Sequence, residues 1–321
     1  MIPIKRKISV LIPAYKSLYL KESIDSIISQ TYQDWELIIL NDASPEDIDG
    51  IVRAYNDPRI KYYKNDVNVG AVNVVDNWNK LLSLATGDYV ICMGDDDRLC
   101  PNCLDEYSRL IEKYPGRGLY HGWTEIINED SKLTDLQPAR PLEESAYSLI
   151  WHRWDHRNRQ YIGDWCFETE TLRSIGGFHK IDLAWGSDDI TAVKAACKNG
   201  VVNTQKIVFQ YRACSQSISR SSNCEIKMGA IQAERKWFEK FLSEPAINDL
   251  DEKFRLLALK KLPIRYKKKT LSTIAEDISC GNVILGFLKW VLNRKRYHLS
   301  ILEIIYALII CIKDKKKETI Y

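Results

Sequence analysis

Tyr89-Val90-Ile91-Cys92-Met93-Gly94-Asp95-Asp96-Asp97 is an apolar run that ends in three adjacent carboxylates. Its first five residues read as a buried strand. Neighbouring carboxylates repel one another unless a cation or a set of donors neutralises them. Spacing alone leaves two readings open. One is a solvated acidic loop leading into the helix that begins near Pro101. The other is a seat for a hard divalent ion, Mn²⁺ or Mg²⁺, which prefers oxygen ligands and keeps positions for water and substrate phosphates.

Toward the N-terminus the alternation of strand and helix is regular. Ile8-Ser-Val-Leu-Ile12, closed by Pro13, is a strand, and Leu20, Ile24, Ile27 and Ile28 recur at helical spacing. Trp35-Glu-Leu-Ile-Ile-Leu40 is a second strand that ends in the turn cluster Asn41-Asp42-Ala43-Ser44-Pro45. Glu46 and Asp47 open a helix, where negative charge suits the dipole. A strand at Ile60–Tyr63 and a helix over 71–85 follow. This order predicts an α/β fold with a doubly wound, mostly parallel sheet flanked by helices, whose ligands lie beyond the carboxyl ends of its strands. Asp42 and Asp95–Asp97 directly follow two of those strands. No GxxxxGK[ST] or GxGxxG loop is present, so P-loop and dinucleotide-binding readings lose ground.

The chain has 321 residues, 45% of them hydrophobic, enough for a sizeable core and too many for a disordered chain. No run of 18 apolar residues marks a membrane span. The net charge of +3 hides an asymmetry: residues 251–321 carry 16 Lys/Arg against 7 Asp/Glu, leaving the first 250 residues with a net of −6. The nine cysteines are scattered, and no apolar leader follows Met1, which together suggest reduced thiols in a cytoplasmic protein. Cys100-Pro-Asn-Cys103 has no second pair at zinc spacing and reads as incidental.

Residues 101–220 are less regular. They hold a helix over about Pro101–Lys113, the aromatic passage Trp151-His-Arg-Trp-Asp-His156, a helix from about Asp189 to Asn199, and a strand near Val201–Tyr211. His152 and His156 favour packing or acceptor contact over metal. From about 222 the pattern is helical, with basic clusters at 260–269, 289–296 and 313–317. Leu299–Ile312, interrupted by Glu303, is short for a bilayer span. Such helices suit the inner face of a membrane, at about 1 kcal/mol per Lys/Arg near anionic lipid. The alternative is a helical cap whose apolar stripe packs on the body. No nucleic-acid motif is present, and nucleic acid is not an expected partner.

Several motifs, in matching order across residues 7–105, resemble the nucleotide-sugar half of family 2 glycosyltransferases of the GT-A fold. They are Ile8–Tyr15, Asn41-Asp42-Ala-Ser44, Asn68-Val-Gly70, Asn77-Trp-Asn79, Ala85-Thr-Gly-Asp-Tyr89 and Asp95-Asp-Asp97 with Leu99 and Pro101. The resemblance implies a catalytic domain over 1–220, divided into a donor half (1–105) and an acceptor half (106–220), then a basic helical region over 221–321. It implies that Pro13, Ala14 and Tyr15 line the nucleotide pocket and that Asp42 accepts a hydrogen bond from the base or ribose. Asn68 and Asn79 would lie near the nucleotide, Asp95 near the ribose, and Asp96, with Asp97 beside it, at the metal. Gly94 replaces the first aspartate of the family's Asp-x-Asp element, which leaves the division among Asp95, Asp96 and Asp97 open.

Downstream, Glu170–Phe178, ending in Gly-Gly-Phe, and Trp185-Gly-Ser-Asp-Asp189 resemble the family's acceptor side. Asp188 stands where relatives carry glutamate. The resemblance implies that Trp185 and Asp188 face the acceptor and that Asp189 is the general base; otherwise Asp189 is a helix N-cap. Tyr211-Arg212 with Ser217 and Ser219 resembles a later family segment. There Arg212 would contact the diphosphate, and Cys214 replaces a frequent histidine.

The implied activity is metal-dependent, inverting transfer from a nucleotide-diphosphate sugar, UDP-sugar foremost, to a hydroxyl of a glycan or lipid-linked acceptor in bacterial cell-surface polysaccharide assembly. The rivals are a nucleotidyltransferase acting on sugar phosphates and a non-catalytic binding protein on the same fold.

Overall fold

A computed structural model describes residues 6–155, 159–214 and 224–318, with side chains described through 313. The N-terminal half alternates as its apolar periods predict: β1 (Ile8–Ala14), α1 (Leu20–Ile28), β2 (Trp35–Asn41), α2 (Ile48–Arg53), β3 (Ile60–Lys64), α3 (Val74–Leu84) and β4 (Tyr89–Cys92). β1 is flanked by β2 and β4 and β2 by β3, all parallel, with Ala14 level with Asn41. The carboxyl ends of β1 and β2 therefore open side by side. At the head of α2 the Asp47 carboxylate accepts the Gly50 N–H at 2.8 Å, capping donors the helix cannot satisfy.

The next stretch holds more strand than its sequence suggests. β5 (Arg98–Leu99), α4 (Cys103–Lys113), β6 (Leu119–Ile127), β7 (Leu133–Leu136), β8 (Glu143–Glu144), α5 (Ala146–Trp154), β9 (Trp165–Glu168), α6 (Thr169–Ser174), α7 (Ser187–Ala196) and β10 (Val201–Arg212) follow. The sheet runs β3-β2-β1-β4-β9-β6-β10-β5. β9 is antiparallel to both β4 and β6, while β10 returns parallel to β6. β1 to β4 are thus parallel to one another, whereas β5 and β9 bring antiparallel pairing into the rest of the sheet.

Successive side chains of a strand face opposite sides, and each face of the sheet has its own core. Val10 and Ile12 pack with Leu20 and Ile24 of α1 and Leu104 of α4, whereas Leu11 joins Trp78 and Leu81 of α3 on the other face. That second core continues into the C-terminal helices α8 (Cys224–Ser243), α9 (Asp249–Ser279), α10 (Val283–Asn293) and α11 (Ile301–Glu318). Trp154 meets Phe238 and Tyr266 edge-on, with ring centroids 5.0 and 6.2 Å apart. Tyr266, Ile274 and Cys311 are buried in the same cluster as Leu11. The basic helices are a cap seated on the body. Among the described residues no helix is long and apolar enough to cross a membrane.

Candidate active site

The residues expected on the donor side gather where β1, β2 and β4 end. The Asp42 N–H donates to the Ala14 carbonyl at 3.0 Å, tying the two strand ends together. Asp42 is buried, and its Oδ1 accepts from Asn65 Nδ2 at 2.7 Å and from the Val69 N–H at 3.0 Å. Asn65 Nδ2 also donates to Asn77 Oδ1 at 2.9 Å, and Asn65 Oδ1 accepts from Lys80 at 2.6 Å. Asn65, rather than the exposed Asn68, is the polar group that ties this loop to Asp42. Pro13 is half-buried, Ala14 fully buried, and the Tyr15 ring is exposed above them.

Two residues expected near the nucleotide are committed elsewhere. Asn79 Nδ2 donates to the Phe178 carbonyl at 2.9 Å, and its Oδ1 accepts the Phe178 N–H at 2.8 Å. Asn79 therefore pins the Gly176-Gly177-Phe178 turn. Gly177 has φ +77°, and a Cβ there would lie 2.3 Å from Asn79 Oδ1, so only glycine fits. Arg212 is fully buried. Its Nε donates to the Asp96 carbonyl at 2.8 Å, its NH1 to the Asn128 carbonyl at 3.1 Å and Ser131 Oγ at 2.8 Å, and its NH2 to Glu22 at 2.8 Å. The guanidinium lies 4.0 Å over the Tyr19 ring. With its donors spent in this way, Arg212 clamps the acidic turn instead of reaching a diphosphate.

The three carboxylates are not equivalent. Asp95 Oδ2 accepts the Tyr15 and Lys16 N–H groups, each at 2.7 Å, which locks the end of β1 to the turn after β4. Burial and then the charge of Asp96 push the Asp95 pKa up to about 6, against the pull of those two amides. Asp97 is buried and its Oδ1 accepts the Arg212 N–H at 2.9 Å. Burial first and Asp96 second hold it well above the usual carboxylate range. Asp97 faces inward to support the turn, which corrects its expected role as a metal ligand. Asp96 is half-buried at the rim of a small cleft of about 80 Å³ with Lys16, Tyr19, Asp95 and Cys214.

Among the described residues no group of three or more His, Cys, Asp or Glu gathers as a protein-only metal cage. The donor set still fits Mg²⁺ or Mn²⁺, because such ions are commonly held by one or two carboxylates with substrate phosphates completing the shell. Cys214 Sγ donates to Asp96 Oδ2 at 3.2 Å. Ser217 and Ser219 lie outside the described residues, as does His156. His152 is half-buried and engaged in packing: its Nδ1 is 2.8 Å from the buried Glu144 carboxylate and its ring lies near Phe254. None of the nine cysteines is joined in a disulfide, and burial raises the Cys100 and Cys103 thiols, as suits inert side chains.

The residues expected on the acceptor side, Trp185, Asp188 and Asp189, stand at the head of α7. Gly186 caps the helix at φ +108°, and a Cβ there would lie 2.7 Å from the buried Glu234 side chain of α8. Asp189 is buried one residue past the half-exposed Asp188. Its Oδ1 accepts from Arg153 Nε at 2.9 Å and from Gln160, and its Oδ2 from Arg265 at 3.2 Å. A side-chain N-cap is therefore not its role. Burial would raise the Asp189 pKa, but Arg153, Arg265 and Lys269 outweigh it and hold the carboxyl below its ordinary range. Asp188 moves the other way, raised by burial and by the charge of Asp189. Trp185 stands beside the pair, with Lys227 Nζ 4.7 Å and Lys269 Nζ 5.5 Å from its ring centroid. Arg153 and Arg265 also line an open cleft of about 510 Å³ bounded by Trp154, Trp185 and α9. Arg153 was unremarked in the sequence, and Arg265 comes from the basic cluster assigned there to a membrane face.

Comparison with known proteins bears on the family and the fold. The model of Glycosyl transferase family 2 matches residues 9–167. WcaA of Escherichia coli, named for colanic acid biosynthesis, is 39% identical over 103 residues, covering 31% of this chain and 36% of its own length. EpsE of Bacillus subtilis, named as a glycosyltransferase, is 37% identical over 115 residues, covering 34% of this chain and 39% of its own. The chain thus aligns with well under half the length of these relatives. In fold, it is similar to S. aureus TarS 1-349 in complex with UDP-GlcNAc, with TM-score 0.62 and 14% identity over 94% of this chain and 81% of that one. It is likewise similar to the mannosyltransferase PcManGT of Pyrobaculum calidifontis with GDP-Man and Mn²⁺, with TM-score 0.56 and 17% identity over 97% and 88%. Residues 9–167 are a glycosyl transferase family 2 domain on a GT-A-type fold.

Proposed function

We propose that the protein transfers a sugar, with inversion, from a nucleotide-diphosphate sugar to a hydroxyl of a glycan or lipid-linked acceptor. The observation that carries this reading is the unequal placement of three adjacent carboxylates. Asp97 is turned inward and Asp95 is pinned on two backbone amides, which leaves Asp96 half-buried at the rim of a cleft. Asp96, with Asp95 beside it, would hold Mn²⁺ or Mg²⁺, which supplies charge stabilisation to the departing diphosphate. Tyr15, over Pro13 and Ala14, offers a face for the base, and Asp42 keeps Oδ2 clear of protein donors among the described residues. Asp189, assisted by Asp188, takes the proton from the acceptor oxygen as that oxygen attacks the anomeric carbon.

Relatives with bound UDP-GlcNAc and GDP-Man support a nucleotide-sugar donor, with UDP-sugar first to be tried. The name of WcaA supports a place in polysaccharide assembly. The test is incubation with UDP- and GDP-sugars, Mn²⁺ and candidate acceptors, followed by product analysis. Release of nucleoside diphosphate with sugar transfer supports the reading. Release of pyrophosphate would favour nucleotidyl transfer, and no metal-dependent turnover on any donor would favour a binding protein.

The C-terminal helices support peripheral contact with a membrane. α11 buries Ile304, Ala307 and Cys311 against the cap, yet Leu302, Ile305, Ile309 and Ile312 lie on its open side. On α10, Ile284, Leu285, Leu288 and Leu292 are exposed together. Basic residues Lys289, Arg294 and Lys295 flank these leucines, the combination that suits an anionic lipid surface.

A further inference from the structure

We infer that the cleft bounded by α5, Trp185 and α9 is an anion site that receives a phosphate or pyrophosphate group carried by the acceptor. This rests on the reading that the head of α7 is the acceptor side. The cleft is lined by five cationic side chains, Arg153, Lys261, Arg265, Lys268 and Lys269, against two carboxylates, Asp155 and Glu276. Its volume of about 510 Å³ falls within the roughly 300–1,000 Å³ of small-ligand sites.

The cations are partly engaged already. Lys261 pairs with Asp155, and Lys269 with Glu234. Arg153 and Arg265 both hold Asp189, and Arg265 lies 3.7 Å from Glu234. Lining excess is therefore positive while the balancing acids, Asp188, Asp189 and Glu234, sit behind the wall. Two donors on that wall, Arg265 Nε and Trp185 Nε1, are buried with no acceptor among the described residues. Buried donors without acceptors are rare and costly. Two guanidiniums that converge with ammonium groups match the oxygens of a phosphate better than a neutral sugar. Trp154 and Trp185 also line the cleft and add apolar wall suited to a sugar ring or an alkyl chain.

The arrangement also gives the anion a role in timing. Arg153 and Arg265 are shared between Asp189 and the cleft. An oxyanion seated there draws on the same guanidiniums, weakens their hold on Asp189 and leaves that carboxylate a better proton acceptor. With the cleft empty, Asp189 stays clamped.

The test uses the full chain in EDTA, so that metal-dependent anion binding at Asp96 is silent. Inorganic pyrophosphate, farnesyl pyrophosphate, farnesol and glucuronate are titrated by calorimetry into the wild type and into Lys268→Glu and Lys261→Ala. Lys268 is exposed, and a melting curve checks that each variant keeps the fold. Pyrophosphate and farnesyl pyrophosphate are expected to bind, with affinity falling about tenfold or more in each variant as a charge-assisted contact is lost. Equal affinity of the two assigns the site to the phosphate alone, and tighter farnesyl pyrophosphate adds the apolar wall; both support the inference. No binding of either, binding unchanged in both variants, farnesol binding as well as its pyrophosphate, or glucuronate binding in preference would overturn it. Donor binding is measured separately with UDP- and GDP-sugars and Mn²⁺, so failure of the anion site and failure of the transferase reading are told apart.

Discussion

Arg265 of α9 reaches Asp189 of α7 across 76 residues of chain, its NH2 3.2 Å from the carboxylate Oδ2. The proposed base is therefore tuned from within the basic C-terminal helices. Asp189→Asn is expected to lower kcat by about 10²–10⁴, the usual worth of a positioned base, with donor KM little changed. Steady-state kinetics with a fixed acceptor measures this. Arg265→Ala removes one of the cations that depress the Asp189 pKa, so that pKa rises. The carboxylate then protonates at a higher pH than in the wild type. The acid limb of the pH–rate profile should move upward in pH, with activity at the alkaline plateau retained better than in Asp189→Asn. An unmoved limb would detach Arg265 from the base.

Asp96, in the acidic turn, and Arg212, the β10 residue that clamps it, have opposite expected phenotypes. Asp96→Asn leaves the clamp intact and should abolish thermal stabilisation by Mn²⁺ with a nucleotide sugar while the melting point without ligand stays close to wild type. Arg212→Met removes a fully buried guanidinium and takes the donor from the Asp96 carbonyl, while Glu22 keeps Arg98 and Ser131. It should cost roughly 2–4 kcal/mol of stability, read by urea unfolding. If Arg212→Met were as stable as wild type and failed only in donor binding, the diphosphate role would return.

The same turn shows what a sequence can convey. The strand ends carrying Asp42 and Asp95 were legible because apolar runs of fixed period stop at turn residues, and a parallel sheet then sets those ends side by side. β6 was not legible, since His121 and Gly122 interrupt its apolar run although both are buried in the sheet. β9 is four residues long and gains its meaning from pairing with β4 and β6. Among side chains, residue type alone could not separate Asn65 from Asn68, or Asp96 from Asp97. Each difference depends on which way a turn faces. Arg153 and Arg265 gave no local signal, because an ion pair between residues 36 or 76 positions apart leaves no periodic trace.

Glu36 predicts how the donor half responds to acid. It is almost fully buried on β2, accepting from Ser9, Thr86, Lys7 and Lys61. Burial alone would raise its pKa, but Lys61, Ser9, the Thr86 amide and Lys7 together drive it well below the usual carboxylate range. A depressed folded-state pKa contributes stability above the unfolded value of about 4.3 and loses it as pH falls further. The wild type should therefore lose stability steeply below about pH 4.5, and Glu36→Gln should flatten that slope. At pH 7 the variant should be less stable by roughly 2–3 kcal/mol, discounted for two lysines that can turn to solvent. Urea midpoints at pH 7 and pH 4 check both signs.

Leu285, Leu292 and Leu302 decide whether the open face of α10 and α11 meets lipid. They are 66%, 80% and 77% exposed, more than a packed cap needs. Burying such a side chain contributes about 1.5–3 kcal/mol, and each nearby Lys or Arg adds about 1 kcal/mol at an anionic surface. The wild type should sediment with vesicles of phosphatidylglycerol and release from them as salt rises, and should ignore phosphatidylcholine. Leu285→Glu with Leu292→Glu should stay in the supernatant while keeping the wild-type melting point, because neither side chain serves the core. Lys289 is a poorer probe: it pairs with Asp277, which also receives the Trp290 indole N–H, so its loss would perturb the cap itself. Sedimentation of the double variant at the wild-type level would make the exposed leucines irrelevant to lipid and assign the binding to the basic clusters alone.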